Sequence, residues 1–261
     1  MTTQLLKKIK ANKKYKTISD EIVNLEIKKY IKNHTNETEK TAIKNIRAIL
    51  HRTYSSFQTK KKNKIPKLLT QLKANPNNKQ ILEQLLEITI STKERLNNYK
   101  KIYKKIITPN TKTIIDLASG LNPFSIPLIK NKNLTYYAYD IDEQDMKHIN
   151  QFLKITKTKG KAQTMDITNK SKIDQLPKSD IVFLFKALDV IDKKNHKPSE
   201  QLLLQLIKKT NLIVASFATK TITRKPMNNP NRKWFELMLE RNNLHYKKFK
   251  TDNEIFYMIK S

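Results

Sequence analysis

Two hydrophobic rhythms divide the chain. Over roughly residues 1 to 90, apolar positions recur at helical spacing: Leu5, Leu6 and Ile9, then Ile18, Ile22, Leu25 and Ile27, then Ile43, Ile46, Ile49 and Leu50. No strand pattern interrupts them, so this part is expected to be all α. Asn75, Pro76, Asn77 and Asn78 mark a turn between its last helices. Residues 91–107, STKERLNNYKKIYKKII, read as an amphipathic helix opened by a capping box from Ser91 to Glu94. Beyond it, short apolar runs alternate with helical stretches. Strands are expected at 114–117, 134–140, 161–165, 180–185 and 211–217, and helices at 143–156, 199–209 and around Trp234, Phe235 and Leu237. Two closing segments follow, around 246–249 and 255–259. Such alternation predicts an α/β fold with a mostly parallel, doubly wound, Rossmann-like sheet and a ligand at the carboxyl ends of its strands. The expected division is an all-α unit over 1–90 and an α/β unit over 91–261. Removal of the first 88 residues is expected to leave the second unit able to bind its ligand.

The stretch TKTIIDLASGLNPF, residues 111–124, concentrates the candidate chemistry. Ile114, Ile115 and Leu117 suit a buried strand with Asp116 near its end, and Ser119, Gly120, Asn122 and Pro123 break it abruptly. A strand, tight loop and helix start in this order bring backbone N–H groups to a ligand, reinforced by the helix's positive end. Gly120 is one of only two glycines in 261 residues, and a missing Cβ is useful where a cofactor presses on the backbone. The next strand, LTYYAYD, ends in Asp140, roughly 20 residues past the loop, where a nucleoside-binding βαβ unit holds ribose hydroxyls. An aspartate at that place without G-x-G-x-x-G points to S-adenosylmethionine more than to a nicotinamide cofactor, because there is no pyrophosphate to cradle. Ser119, Gly120, Asp140, Asp166 and Lys186 all fall at or just past strand ends. Their agreement on one edge favours a site over polar residues that merely close strands.

Charge adds a partner. Lys and Arg total 53 against 23 Asp and Glu, a net charge of +30. Codon bias toward lysine does not explain the shortage of carboxylates; a polyanionic partner does. Nucleic acid is favoured over an anionic membrane, since no run approaches the roughly 20 apolar residues of a spanning helix and no secretory segment opens the chain. Lys60, Lys61, Lys62 and Lys64 cluster between two expected helices, and Lys7, Lys8, Lys10, Lys13, Lys14 and Lys16 lie in or just after the first. Singly each suits a solvated helix face; together they read as an RNA-docking module. There is no cysteine, which excludes a disulfide scaffold, a thiolate metal site and the cysteine-dependent route to pyrimidine carbon-5 methylation. The five histidines lack metal-ligand spacing and read as surface or incidental, with no metal site. A cytoplasmic monomer is expected.

Five stretches in order, STKERL, DLASGLNP, YAYDID, FLFKALDVID and SFATKTITRKP, resemble the aminoglycoside-resistance family of 16S ribosomal RNA methyltransferases, which act on nitrogen 7 of a guanine in the decoding site. The resemblance covers roughly residues 90 to 260, while the amino-terminal part shares only helical, basic character. It implies a class I S-adenosylmethionine-dependent methyltransferase fold, with the small ribosomal subunit and its RNA as partner. It further implies that Arg95 holds the cofactor's carboxylate, that Ala118, Ser119, Gly120 and Asn122 line the cofactor loop, and that Asp140 and Ile141 meet the ribose. Asp166 and Ile167 are placed near the adenine, Lys186 and Asp192 at the target base, and Lys220, Arg224 and Lys225 in a substrate-facing loop. The chain departs from the usual pattern at Ala118 and Ser119, where Gly and Cys are commoner, and at Asp192, where a longer Glu is usual. Two other readings stay open at this level: a non-catalytic RNA-binding or ribosome-assembly protein on a degraded methyltransferase fold, and a methyltransferase acting on transfer RNA.

Overall fold

The strand β1 (Thr113–Leu117) lies at the middle of a sheet, which is why an apolar run this short is buried on both sides. The computed structural model describes residues 2–54, 59–131, 133–192, 196–221, 225–227 and 230–260, with Arg52 and Thr53 described by their backbone alone. After β1 come β2 (Thr135–Asp140), β3 (Lys159–Thr164), β4 (Ser179–Phe185), β5 (Thr210–Ala218), β6 (His245–Lys250) and β7 (Glu254–Lys260). The seven strands are ordered β3-β2-β1-β4-β5-β7-β6. β1 to β5 are parallel, and β7 runs antiparallel between β5 and β6. This is the doubly wound sheet expected from the alternation of runs. The direction of winding reverses between β1 and β4, so the crevice at the carboxyl ends of those two strands is where a ligand fits.

Three helices precede everything else: α1 (Thr2–Lys10), α2 (Asp20–Asn33) and α3 (Glu39–Thr53). They share a core of their own, with Leu5, Ile27, Ile46 and Tyr54 buried in it. The next four are α4 (Ile65–Ala74), α5 (Lys79–Leu86), α6 (Ile90–Arg95) and α7 (Tyr99–Ile106). Leu69, Leu72, Leu85, Tyr99 and Ile102 belong to the core on one face of the sheet, beneath Ile114, Tyr136 and Phe183. The helix α8 (Glu143–Ile155) joins them there through Ile149 and Phe152. On the other face, α9 (Lys170–Asp174), α11 (Lys197–Leu206) and α12 (Lys233–Arg241) pack Ile173, Leu203 and Phe235 against Ile115, Leu117 and Val182. A four-residue helix, α10 (Leu188–Ile191), links β4 to α11. Neighbouring residues of β1 thus serve opposite cores, as the period of two requires.

Three expectations need correction. Within the helical stretch, Leu5 to Tyr54 share one core, whereas Ile65 to Ile88 bury their apolar face in the core that covers one side of the sheet, against α8 and the segment after β1. Cutting at 88 would strip that face from the core, so the remaining chain cannot be expected to stand and bind ligand by itself. The single helix expected over 91–107 is two, α6 and α7, and the first starts after Thr89, whose side chain caps no backbone N–H and instead bonds the Thr92 hydroxyl at 2.7 Å. Ser91 and Glu94 form no box because Glu94 is drawn to Lys186. After the β1 loop comes not an α-helix but a 3-10 segment (Asn122–Leu128), where Pro123 and Pro127 remove N–H donors. The second glycine, Gly160, is explained by the sheet: at φ +127 its backbone lies so close to Tyr136 that a Cβ would sit 1.9 Å from that residue's carbonyl oxygen.

Candidate active site

The turn after β1 is built from left-handed backbone. Ala118 has φ +52 and Gly120 φ +48. For Ala118 the conformation costs about 1–2 kcal/mol that a glycine would escape, which gives a physical reason why glycine is commoner at this place. Around Gly120 nothing would meet a Cβ within 4 Å, so the turn faces open space. The Gly120 N–H donates to Asp140 Oδ2 at 2.9 Å, and the Asp142 N–H donates to Asp140 Oδ1 at 3.1 Å. The ends of β1 and β2 are therefore tied together through one carboxylate. Burial raises the pKa of Asp140 while the two N–H groups pull it down. Each of its oxygens retains a lone pair, which is what two ribose hydroxyls need.

Below the turn, Asp116 is buried and accepts from Asn122 Nδ2 at 2.8 Å and Tyr136 Oη at 2.7 Å. Burial pushes its carboxyl up to about 6, with Asn122 and Tyr136 opposing. Asn122 in turn accepts from Tyr99 Oη at 2.8 Å, so it braces Asp116 from behind. Asp116 Oδ1 and the hydroxyl of Ser119 are buried and have no partner among the described residues. Unpartnered buried polar atoms beside an open turn are what a cradle for a polar ligand looks like without it. Together with Asp140, they fit the ribose and amino-acid end of S-adenosylmethionine. Asp166, at the end of β3, accepts from the N–H and hydroxyl of Thr168 at 2.8 and 2.7 Å, and Ile167 beside it is buried. Ile141 is half-buried against the core of the first three helices.

Across the switch point, the end of β4 presents Lys186 at φ +56, its N–H donating to Ser216 O at 3.0 Å and Ser216 Oγ at 3.1 Å. Its ammonium donates to Glu94 Oε2 at 2.6 Å and lies 3.8 Å from Glu254 Oε2. Glu254 is the hub beneath. It accepts from Arg95 Nε at 2.8 Å and Nη2 at 3.1 Å, and from the hydroxyl of Ser216. Arg95 is fully buried, with Phe185 5.0 Å from its guanidinium. Burial would depress Arg95, but Glu254 and Tyr99 more than restore its affinity for a proton. The resemblance sets Arg95 over the cofactor's carboxylate; in the structure its guanidinium is buried and paired with Glu254.

The remaining expected residues are dispersed. Asp192 sits at the carboxyl end of α10, where Oδ1 accepts from the Ser199 N–H at 3.1 Å and Oδ2 lies 2.9 Å from His196 Nδ1. It thereby caps α11. His196 stacks on Trp234 at 3.6 Å, and His148 is buried, so neither is merely incidental. Lys220 is half-buried and Lys225 exposed on the loop after β5, where Lys220 bridges Pro226; Arg224 lies outside the described residues. In the basic cluster Lys60, Lys61 and Lys64 are exposed. Lys62, expected on RNA, is instead turned inward, 3.3 Å from Asp142 Oδ2 and hydrogen-bonded to Asp145. The sequence reading missed Glu94 and Glu254. Glu94 abuts Arg95, and Glu254 is the lone charge opening the apolar run EIFYMI, an anomaly that signals a buried partner.

The chain is 24% identical over 229 residues to a 16S rRNA (guanine(1405)-N(7))-methyltransferase of Micromonospora echinospora, covering 84% of this chain and 82% of that protein. It is 23% identical to the enzyme of the same description from Frankia casuarinae, over 70% of this chain and 66% of the relative's length. In three dimensions it is similar to the 16S rRNA methyltransferase RmtF in complex with S-adenosyl-L-homocysteine, with a TM-score of 0.83, 21% identity and coverage of 99% of this chain and 97% of that one. The fold is thus that of class I S-adenosylmethionine-dependent methyltransferases. Residues 11–258 match the family described as ribosomal RNA methyltransferase (FmrO), and the chain belongs to that family of S-adenosylmethionine-dependent enzymes.

Proposed function

We propose that this enzyme methylates nitrogen 7 of a guanine in the decoding region of 16S ribosomal RNA, within the small subunit. The observation that carries this reading is the charge arrangement around Lys186, supported by the descriptions of the curated relatives. Every charged group there is held in a pair: Lys186 with Glu94, and Arg95 with Glu254. That arrangement positions rather than relays protons. It suits a nucleophile that needs no base, because N7 of guanine keeps an available lone pair at neutral pH. S-adenosylmethionine supplies a sulfonium methyl to that lone pair and becomes S-adenosylhomocysteine. Asp140 accepts the ribose hydroxyls, and Ser119 and Asp116 face the polar end of the same ligand. Lys186 donates to guanine O6, which lies beside N7 on one edge of the base; adenine presents an N–H donor there and is refused. Asp192 fixes the start of α11, the helix that follows β4 and α10.

The RNA is held elsewhere by phosphate contacts, which set register without reading bases. Lys60, Lys61 and Lys64 are exposed and take this role, with Lys220 and Lys225 beyond β5; Arg224 between them belongs to the same basic run of sequence. A groove of about 610 Å³ on the first three helices adds Lys14, Lys40, Lys44, Arg47 and His51. We place the enzyme in the cytoplasm as a monomer. Among the described residues, no helix is long and apolar enough to cross a membrane.

The test is the product. Purified protein with S-adenosylmethionine should mark one guanine of the decoding region, preferring the assembled subunit to naked RNA. Because methylation at N7 weakens the glycosidic bond, reduction and aniline should then cut the chain there. A methyl mark found elsewhere, on another ribosomal position or on transfer RNA, discards the target and keeps the enzyme class. Lys186→Ala should lower turnover about 10- to 100-fold, the worth of one base-edge contact, while cofactor affinity changes by less than about twofold. Equal losses in both would mean that Lys186 holds the cofactor instead of the base.

A further inference from the structure

The first three helices touch the sheet domain at one telling place. Asp140, Ile141 and Asp142 form the turn from β2 into α8, and a single residue separates the proposed ribose ligand from Asp142. The Glu143 N–H donates to Thr17 O at 2.9 Å, the Ser19 N–H donates to Ile141 O at 3.2 Å, and Ile18 forms an antiparallel bridge with Asp142. Asp142 is buried and its carboxylate is crowded with donors. Oδ1 accepts the N–H groups of Gln144 and Asp145 at 2.9 and 3.0 Å, capping α8. Oδ2 accepts from Tyr54 Oη at 2.6 Å and from Lys62 Nζ at 3.3 Å. Tyr54 comes from the end of α3 and is buried in the core of the first three helices, and its hydroxyl also bonds that of Thr17.

Lys62 reaches both carboxylates, Asp142 and Asp145, from outside α8. Burial lowers its proton affinity, and the Asp145 and Asp142 carboxylates more than reverse this; burial also raises Asp145 against the pull of Lys62. Without Lys62, the buried Asp145 carboxylate would lose the cation bonded to it while still facing Asp142, and it would have to take a proton or the start of α8 would have to shift.

We propose that Lys62 and Tyr54 are positioning residues for the cofactor, acting through Asp142 on the turn that presents Asp140, so that the helical module is a working part of the cofactor site. This rests on the reading of Asp140 as ribose ligand. A consequence is linkage: an RNA subunit that fixes the module must tighten cofactor binding, and cofactor must tighten docking by the same factor. Lys62 therefore sits in a phosphate-facing lysine cluster but serves the methyl donor.

The experiment is calorimetry of the full chain with S-adenosylhomocysteine, alone and with saturating small subunits. Lys62→Met should weaken binding about tenfold or more and abolish the subunit's effect on it, while Lys62→Arg restores affinity to within about threefold. Tyr54→Phe, which keeps the ring in its core and removes only the hydroxyl, should lie between. Unchanged affinity in Lys62→Met, with or without a lowered melting temperature, overturns the proposal and leaves the pair as a structural tie. If Lys62→Met does not fold, Tyr54→Phe decides on the same terms. Asp140→Ala, run alongside, separates the two ideas: wild-type affinity there removes the ribose ligand itself, whereas loss there with none in Lys62→Met removes only the positioning role.

Discussion

Glu254→Ala is expected to destabilise the enzyme by about 3–5 kcal/mol, the cost of leaving a buried charge without its partner. Arg95 puts Nε and Nη2 on this carboxylate and is 3% exposed. The loss also unties Ser216, and with it the backbone that seats Lys186 in its left-handed conformation. Urea unfolding followed by circular dichroism measures the change. A loss below about 1 kcal/mol would mean that the pair stabilises no more than a surface bridge. The double change Arg95→Met with Glu254→Leu should recover most of the stability, because apolar groups of similar volume replace a buried pair at little cost. Its methylation rate should nevertheless stay low, since Lys186 then lacks the charge beneath it. Recovery of both together would show that the floor serves the fold alone.

The second large effect is on the donor. Asp140→Ala should remove detectable binding of S-adenosylmethionine: two hydrogen bonds to a charged acceptor contribute about 1.5–3 kcal/mol each, more than a hundredfold in Kd together. The structure adds to this loss, because the same carboxylate holds the N–H groups of Gly120 and Asp142 and so keeps the two turns in register. Asp140→Asn retains one acceptor oxygen and should fall between. Calorimetry checks both, with far-ultraviolet circular dichroism to establish that the sheet remains. Affinity unchanged in Asp140→Ala would sink the assignment of β2 as the ribose strand.

The two aspartates illustrate different kinds of legibility. The place of Asp140 at the end of β2 could be found without coordinates, because strands announce themselves through local apolar runs. Asp142 looks like an ordinary helix cap, and so it is, yet its other oxygen receives donors from Tyr54 and Lys62. Nothing within a window of a dozen residues predicts contacts of that separation. Lys62 misled for the same reason, since three neighbouring lysines in a row of base suggest one shared fate and the fold gives this one another.

Periodicity and turn chemistry alone determined the strands, their alternation with helices, the switch-point cleft and the edge on which Ser119, Gly120, Asp140, Asp166 and Lys186 gather, because each depends on spacing along a few turns of chain. The motif order added the family. Only the tertiary structure decided where the helical stretch divides, since Ile65 to Ile88 are helical by pattern whichever core they enter. It alone decided that Arg95 pairs with Glu254, 159 positions away in the chain, and that Lys62 faces Asp142 and Asp145. The physical reason is the same in each case. A residue's burial preference is written locally, but the identity of the partner that makes a buried charge tolerable is set by which distant strand or helix packs against it.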